Sequence, residues 1–190
     1  TSPMYNKPPQ RGIVAHYRAI SEAVDLPIVV YNVPGRTASN IEAKTTLEMS
    51  RIPRIAAVKE ASGQLSQIAD ILRGRDAQFS VLSGDDEMTL PVMALGGDGI
   101  VSVISNATPK LMSQLCERMR AGDLAGACQL HFQLLPWMRA AFIESNPLPV
   151  KAALAMMGRL KNVLRLPLVP MSNAHEAAVR SALEIAGALS

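Results

Sequence analysis

The sequence has few cysteines, few aromatic residues and no long apolar run. Its 190 residues include two cysteines, Cys116 and Cys128, without a Cys-x-x-Cys pair beside them. This pattern supports neither a disulfide framework nor a zinc site, and it favours the reducing cytoplasm as the location. No apolar run reaches the roughly 18 residues that span a bilayer. The start of the chain lacks the basic and apolar regions of a signal peptide, so we expect no membrane partner.

Charge of one sign is not concentrated anywhere along the chain. The net charge is +3, from 19 Lys and Arg against 16 Asp and Glu, and the basic residues are scattered. A nucleic-acid-binding surface needs a basic patch or stripe, so no nucleic-acid partner is expected despite a pI of about 9.1. With 48% hydrophobic and 18% charged residues, the chain is expected to fold around a core.

Four short apolar runs rich in β-branched residues predict buried strands. These runs cover residues 27–31, 55–59, 79–83 and 99–104. Amphipathic stretches with helical spacing lie around residues 13–24, 41–51, 64–73 and 86–95. Strands and helices therefore alternate, with connections long enough for parallel crossovers. The predicted fold class is α/β, with a parallel sheet covered on both faces.

From residue 109 onward the pattern predicts helices only. The helical stretches cover residues 109–120, 124 to about 144, 150–160 and 174–189, with Pro109 near a helix start and Asn173 as the cap of the last helix. We therefore predict that residues 1–108 carry about four strand–helix units. Residues 109–190 are predicted to hold the last helix of that part and a C-terminal helical region.

The polar residues that could carry chemistry stand at the C-terminal ends of the predicted strands. An open doubly wound sheet is one alternative, but no glycine-rich phosphate loop follows the first strand. A (β/α)8 barrel builds its active site at this edge, so the pattern favours the C-terminal half of a TIM (β/α)8 barrel. A barrel needs eight units, and the chain begins without Met in a Pro-rich stretch. Roughly 100 further residues are therefore expected to precede it.

Lys59 and Tyr31 end two consecutive strands and are candidate catalytic residues. Desolvation beside residues such as Val58 lowers the pKa of a lysine amine, which prepares the amine to attack a carbonyl and form a Schiff base. If the strands are neighbours, the Tyr31 phenol lies beside that imine and can move protons. Arg36 follows on a loop, where its guanidinium could bind a carboxylate. Solvated rim or loop residues are the structural alternative for all three.

Two conspicuous polar motifs are interpreted as structural. The run Asp85-Asp86-Glu87 could ligate a cation, but acidic residues that open a helix complement its dipole, and we favour that interpretation. The glycine-rich motif at residues 96–99 precedes its strand, so a tight turn is favoured over a phosphate loop.

Several motifs, in order, resemble one enzyme family. The motifs that carry the resemblance are YNVPGRT at residues 31–37 and VKEASG at residues 58–63, with further similar segments at 1–8, 82–86, 96–102 and 146–151. Together they are similar to the dihydrodipicolinate synthase family, within the pyruvate-dependent class I aldolase superfamily of N-acetylneuraminate lyase. The resemblance covers essentially the whole chain.

The resemblance implies a role for each matching residue. Lys59 is expected to condense with pyruvate, and Tyr31 to be the central tyrosine of a proton relay. Tyr5 matches a second relay tyrosine that reaches into the active site of a neighbouring subunit. Arg36 matches the arginine that binds the carboxylate of L-aspartate 4-semialdehyde and marks the synthase branch. Val101 matches a position that lines the pyruvate pocket.

The implied reaction condenses pyruvate with L-aspartate 4-semialdehyde to give 4-hydroxy-tetrahydrodipicolinate in lysine and diaminopimelate biosynthesis. No metal or organic cofactor is expected, because the imine itself withdraws electrons. The implied assembly is a homo-oligomer, a dimer of dimers. Two alternatives remain open at this point. One is another pyruvate aldolase or lyase acting on a sugar acid such as N-acetylneuraminate, and the other is an inactive, non-catalytic protein made from part of such a barrel.

Overall fold

The structure, a computed structural model, describes residues 1–189, which divide into two compact units. The first unit runs from Thr1 to Val101, and the second begins at Ser102. The sequence pattern changes at residue 109, a few residues after this division. Within the described residues, no helix is both long and apolar enough to cross a membrane.

Strands and helices alternate along the first unit. Its elements are α1 (Gln10–Ala23), β1 (Ile28–Asn32), α2 (Pro34–Thr37), α3 (Ala43–Met49), β2 (Ile55–Glu60), α4 (Leu65–Gly74), β3 (Ser80–Ser83), α5 (Thr89–Ala94) and β4 (Gly99–Ile100). The buried residues of α1 follow helical spacing, with Ile13, Tyr17 and Ser21 on one face. The short helix α2 starts at Pro34, whose fixed φ suits the first turn, and Ala38 ends it in the left-handed conformation.

The four strands form one parallel sheet in the order β1-β2-β3-β4. Each strand pairs with the next one along the chain, and the order never reverses as it would in a doubly wound sheet. All four strands therefore end at the same edge, as the barrel interpretation requires. The predicted α/β class with parallel strands is confirmed.

The two faces of this sheet have different surroundings. Val30, Val58 and Val81 point to the face that packs against the helices, and each is fully buried in the main apolar cluster. On the other face Val29 is 48% exposed. The sequence predicted a sheet covered on both faces, whereas at Val29 the described chain leaves the second face open. Because side chains alternate along a strand, Tyr31 shares the face of Val29 and Asn32 shares the face of Val30.

The second unit is helical. Its elements are α6 (Pro109–Arg120), α7 (Leu124–Ala140), α8 (Leu148–Met156) and α9 (Glu176–Ile185), with 3-10 turns at Ile104–Asn106 and Asn173–His175. Helix α6 has the predicted bounds and opens with Pro109 in its first turn. Asp123 caps α7, because its carboxylate accepts a hydrogen bond of 2.9 Å from the backbone N–H of Gly126. Helix α7 packs against α6 and α9, and its Trp137 is fully buried.

Two local predictions were wrong. The fourth strand was expected over residues 99–104 but ends at Ile100, and a 3-10 turn takes over at Ile104. The Ser102 hydroxyl accepts a hydrogen bond of 2.9 Å from the backbone N–H of Ser105, and such local bonds compete with strand pairing. Asn173 was expected to cap the last helix. Instead the hydroxyl of Ser172 accepts a hydrogen bond from Ala174 and caps the 3-10 turn before α9.

Candidate active site

Lys59 and Tyr31 meet at the C-terminal edge of the sheet. Strands β1 and β2 pair in a register that sets Tyr31 opposite Lys59. The Nζ atom of Lys59 stands 4.1 Å from the centre of the Tyr31 ring, and both side chains are half-buried. An ammonium group over an aromatic face is attracted by the electrons of the ring. The structure therefore brings together the two residues that the sequence placed at neighbouring strand ends.

The surroundings of Lys59 favour a free amine. Burial lowers the pKa of Lys59, because desolvation penalises the ammonium form. The charge of Asp86 raises this pKa, and the charge of Arg36 lowers it further. The net direction is downward, so more of the nucleophilic amine is present at neutral pH than for an exposed lysine.

The phenol of Tyr31 is held in its protonated form. Burial raises the pKa of Tyr31, and the positive charge of Arg36 opposes that rise. A neutral phenol beside an amine can donate and accept a proton in turn. Arg36 lies on α2 with an exposed side chain, and its charge acts on both Tyr31 and Lys59. Three of the candidate residues therefore form one cluster.

Gly84 leaves the space through which the Lys59 side chain runs. A Cβ atom added at Gly84 would lie 3.0 Å from both Cγ and Cε of Lys59 and 2.8 Å from Cβ of Ala61. Side-chain contacts this short force something to move. The sequence placed Gly84 in a motif without assigning it a function. The signal that could have found it is its position directly after β3, the strand paired with β2.

The interpretation of the acidic run at residues 85–87 was wrong. Helix α5 begins only at Thr89 and has no acidic residue in its first turn. The Asp85 carboxylate instead accepts a hydrogen bond of 3.0 Å from the backbone N–H of Glu87, which forms a local turn. Asp86 is buried, and its charge acts on Lys59. The rule that selected strand-end residues passed over Asp86, because this residue lies three positions after the end of β3.

The remaining two candidates, Tyr5 and Val101, occupy different places in the first unit. Tyr5 is 90% exposed, so little of its ring is covered within this chain. Its backbone adopts a positive φ of 73°. Val101 directly follows β4 and is 41% exposed, with its N–H bonded to the carbonyl of Ser83 at 2.9 Å. Val101 thus shares the C-terminal edge of the sheet, whereas Tyr5 precedes the first helix.

Comparison with known proteins decides the family. A family model described as the dihydrodipicolinate synthetase family matches residues 1–186. The chain belongs to this family. A 4-hydroxy-tetrahydrodipicolinate synthase of Koribacter versatilis is 53% identical over 188 residues, which are 99% of this chain and 63% of that protein.

Solved structures agree with this assignment. The dihydrodipicolinate synthase of Thermotoga maritima is 43% identical with a TM-score of 0.96, over 98% of this chain and 65% of that one. The chloride-inhibited dihydrodipicolinate synthase of Acinetobacter baumannii complexed with pyruvate is 40% identical with a TM-score of 0.95, over 98% and 64%. The predicted fold, the C-terminal half of a TIM barrel followed by helices, is confirmed. The chain spans 63–65% of the length of these members of the dihydrodipicolinate synthetase family.

Proposed function

We propose that the whole protein carrying this chain condenses pyruvate with L-aspartate 4-semialdehyde to give 4-hydroxy-tetrahydrodipicolinate. The observation that carries the proposal is the half-buried Lys59 amine, 4.1 Å from the centre of the Tyr31 ring, with its pKa lowered by burial. The names of the relatives support this substrate pair. The product would serve lysine and diaminopimelate biosynthesis.

Lys59 would act as the nucleophile. Its amine attacks C2 of pyruvate, and loss of water leaves an iminium whose positive nitrogen draws electrons from the neighbouring methyl group. The methyl group loses a proton, and the resulting enamine carbon attacks the aldehyde carbon of the second substrate. The amino group of that substrate then attacks the iminium carbon, which closes the ring and releases the Lys59 amine. The iminium is the electron sink, so these steps draw on no metal or organic cofactor.

The other residues of the first unit would bind substrates and move protons. The Tyr31 phenol would carry protons between Lys59, the carbinolamine and the aldehyde oxygen, since it lies beside the amine and keeps its proton. Arg36 would bind the carboxylate of aspartate semialdehyde, where its exposed guanidinium can make a bidentate contact. Val101, at the same edge of the sheet, would line the pyruvate pocket.

Tyr5 would complete the proton relay of a neighbouring subunit in a dimer of dimers. Its 90% exposure within one chain supports this proposal, because a tyrosine that acts in another subunit has to project away from its own. Subunit mixing tests the idea directly. A Lys59→Ala protein and a Tyr5→Phe protein are each assayed alone and after exchange of subunits. Mixed oligomers should regain activity, since one subunit supplies Lys59 and its partner supplies Tyr5. Absence of any gain after verified exchange would contradict action across an interface.

The substrate proposal is tested by turnover with competing aldehydes. The whole protein is assayed with pyruvate and either aspartate semialdehyde or a sugar aldehyde such as N-acetylmannosamine. We expect turnover with aspartate semialdehyde only. Preference for the sugar aldehyde would favour a sugar-acid lyase, and failure of the folded protein to react with pyruvate at all would favour a non-catalytic role.

A further inference from the structure

A second group of polar residues lies behind Lys59 and Tyr31. Glu60 follows Lys59, Asn32 follows Tyr31, and the two pair in register at the ends of β2 and β1. Successive side chains of a strand point to opposite faces, so Glu60 and Asn32 lie on the helix-packed face. Glu60 is 1% exposed and Asn32 is fully buried. Each reactive residue therefore has a buried polar neighbour on the reverse side of the sheet.

The Glu60 carboxylate is surrounded by hydrogen-bond donors. The Asn32 side-chain amide donates to Oε1 at 3.1 Å and to Oε2 at 3.0 Å. The backbone N–H of Ser62 donates to Oε1 at 2.7 Å, and the Gln67 amide donates to Oε2 at 3.2 Å. A carboxylate only accepts hydrogen bonds, whereas a glutamine in its place would turn an NH2 group towards one of these donors. The geometry suits a carboxylate specifically.

Among residues 1–189, the hydrogen-bond partners of the Glu60 carboxylate are all electrically neutral. A buried carboxylate without a cation costs free energy, and well-packed apolar residues often serve stability as well or better. Folding alone therefore gives little reason for a charged group at this point.

The hydrogen bonds continue beyond Glu60 and connect four segments of the first unit. Asn32 accepts a bond of 2.9 Å from the backbone N–H of Ile41 and donates one of 2.9 Å to the side-chain carbonyl oxygen of Asn40. Asn40 in turn donates to Gln67 of α4 at 2.8 Å. The ends of β1 and β2 are thus tied to each other, to the segment before α3 and to α4.

We propose that Glu60 is a positioning residue whose hydrogen bonds with Asn32 fix the strand ends from which Lys59 and Tyr31 project. Glu60 touches no substrate in this role. It holds the register in which the amine of Lys59 lies against the Tyr31 ring. The inference rests on the proposed function, since it concerns how the amine is held for attack on pyruvate. A misplacement of about 1 Å at a reacting group can reduce a rate about a hundredfold.

The experiment measures imine formation at Lys59 in the whole protein. Variants Glu60→Gln, Asn32→Asp and the double variant are mixed with pyruvate, trapped with borohydride at set times and analysed by peptide mass spectrometry. The double variant restores one donor–acceptor pair with the roles exchanged, because the new amide at position 60 can donate to the new carboxylate at position 32. Glu48→Gln is the matched control, since it makes the same chemical change at an exposed glutamate of the same unit. Thermal unfolding is recorded for each variant.

We expect Glu60→Gln to slow imine formation by about tenfold to a hundredfold, with substantial recovery in the double variant and no change in the control. We also expect the pH midpoint of imine formation to rise in Glu60→Gln. The groups that act on Lys59 are Tyr31 from β1, Arg36 from α2 and Asp86 after β3. Loosening this arrangement would admit water and return the pKa of Lys59 towards its ordinary value.

The outcomes separate the inference from the proposed function. If the wild-type protein forms no adduct, the proposed function fails and this inference fails with it. If the wild type reacts and a folded Glu60→Gln variant reacts at the same rate with the same pH midpoint, only the positioning role is overturned. If Glu60→Gln does not fold, the double variant decides the question. A folded double variant with wild-type chemistry supports the inference, and a folded double variant that does not react at Lys59 contradicts it.

Discussion

The two faces of the sheet differ at the point where β1 and β2 end. One face carries Val29, Tyr31 and Lys59, and we call it the open face. Here Tyr31 and Lys59 are half-buried, and the amine of Lys59 lies against the ring of Tyr31. On the helix-packed face Asn32 and Glu60 are buried, and each makes several hydrogen bonds. The same two strands thus present partly desolvated groups on one side and fully bonded groups on the other.

This difference suits the open face to reaction and the helix-packed face to holding the strand ends in place. A lysine amine becomes nucleophilic when burial removes water without supplying a strong partner for the ammonium form. A strand end becomes rigid when its buried polar groups are all bonded, since breaking any one bond leaves a costly unpaired group. Substitutions on the open face should therefore change the reaction rate. Substitutions on the helix-packed face should first lower the free energy of unfolding and shift the strand ends that carry Lys59 and Tyr31.

The largest effect on the open face is expected from Tyr31→Phe. The ring against Lys59 is kept and only the hydroxyl is lost, so the proton transfer proposed for Tyr31 would fail while the packing is retained. Turnover of the whole protein should fall by about 10²- to 10⁴-fold, the usual contribution of a positioned acid–base group. Steady-state assays measure the fall, and an unchanged unfolding temperature is the control. Wild-type turnover in this variant would show that the Tyr31 hydroxyl takes no part in the reaction.

Arg36→Ala should have a smaller and more selective effect. Loss of a charge-assisted contact with a carboxylate is worth roughly 1.5–3 kcal/mol, about tenfold to a hundredfold in kcat/KM for aspartate semialdehyde. Formation of the pyruvate imine should change far less. Arg51→Ala, at an exposed arginine of the same unit, is the matched control. Equal loss of both steps would mean that Arg36 supports the fold or the whole pocket.

Removing the Glu60 carboxylate from the helix-packed face should lower the free energy of unfolding. Glu60→Ala removes an acceptor from the buried amide of Asn32 and from the partly buried donors of Gln67 and Ser62. The cost is about 1–3 kcal/mol for each buried group that keeps no other partner. Urea unfolding measures the resulting decrease in the free energy of unfolding.

Lys59→Met is the matched change on the open face. Because burial lowers the pKa of Lys59, the folded protein holds this proton less tightly than the unfolded chain. The lysine therefore reduces stability at neutral pH, and this cost disappears as the pH rises past its ordinary pKa. Lys59→Met should be neutral or stabilising at pH 7. If Lys59→Met lowered the free energy of unfolding more than Glu60→Ala, this would contradict the claim that the helix-packed face contributes more to stability than the open face.

The smallest expected effects are shifts in the pH dependence of imine formation. Arg36 lowers the pKa of Lys59, so Arg36→Ala should raise that pKa and move the midpoint to higher pH. Asp86 raises the pKa of Lys59, so Asp86→Asn should lower it and move the midpoint to lower pH. Trapping with borohydride across a pH series measures both midpoints. Shifts of the same sign would contradict the electrostatic description of the open face.

The open face could largely be predicted from sequence, and the helix-packed face could not. Apolar runs that end in Tyr31 and Lys59 placed both residues at the sheet edge, because strand order and chain order coincide here. Glu60 and Asn32 stand next to these residues, yet nothing in a local pattern shows that both are buried. Gln67 bonds to Glu60, 7 residues before it, and to Asn40, 27 residues before it, and only the packing of α4 brings these three residues together.

The central claim is that Lys59 of the open face forms the imine with pyruvate. The direct measurement is borohydride reduction of the whole protein with pyruvate, followed by peptide mass spectrometry to locate the adduct. Lys44→Ala, at an exposed lysine of the same unit, should leave the adduct unchanged, and Lys59→Ala should abolish it. We predict one adduct per chain, on Lys59. An adduct on another lysine, or none in a preparation that turns over both substrates, would contradict the account.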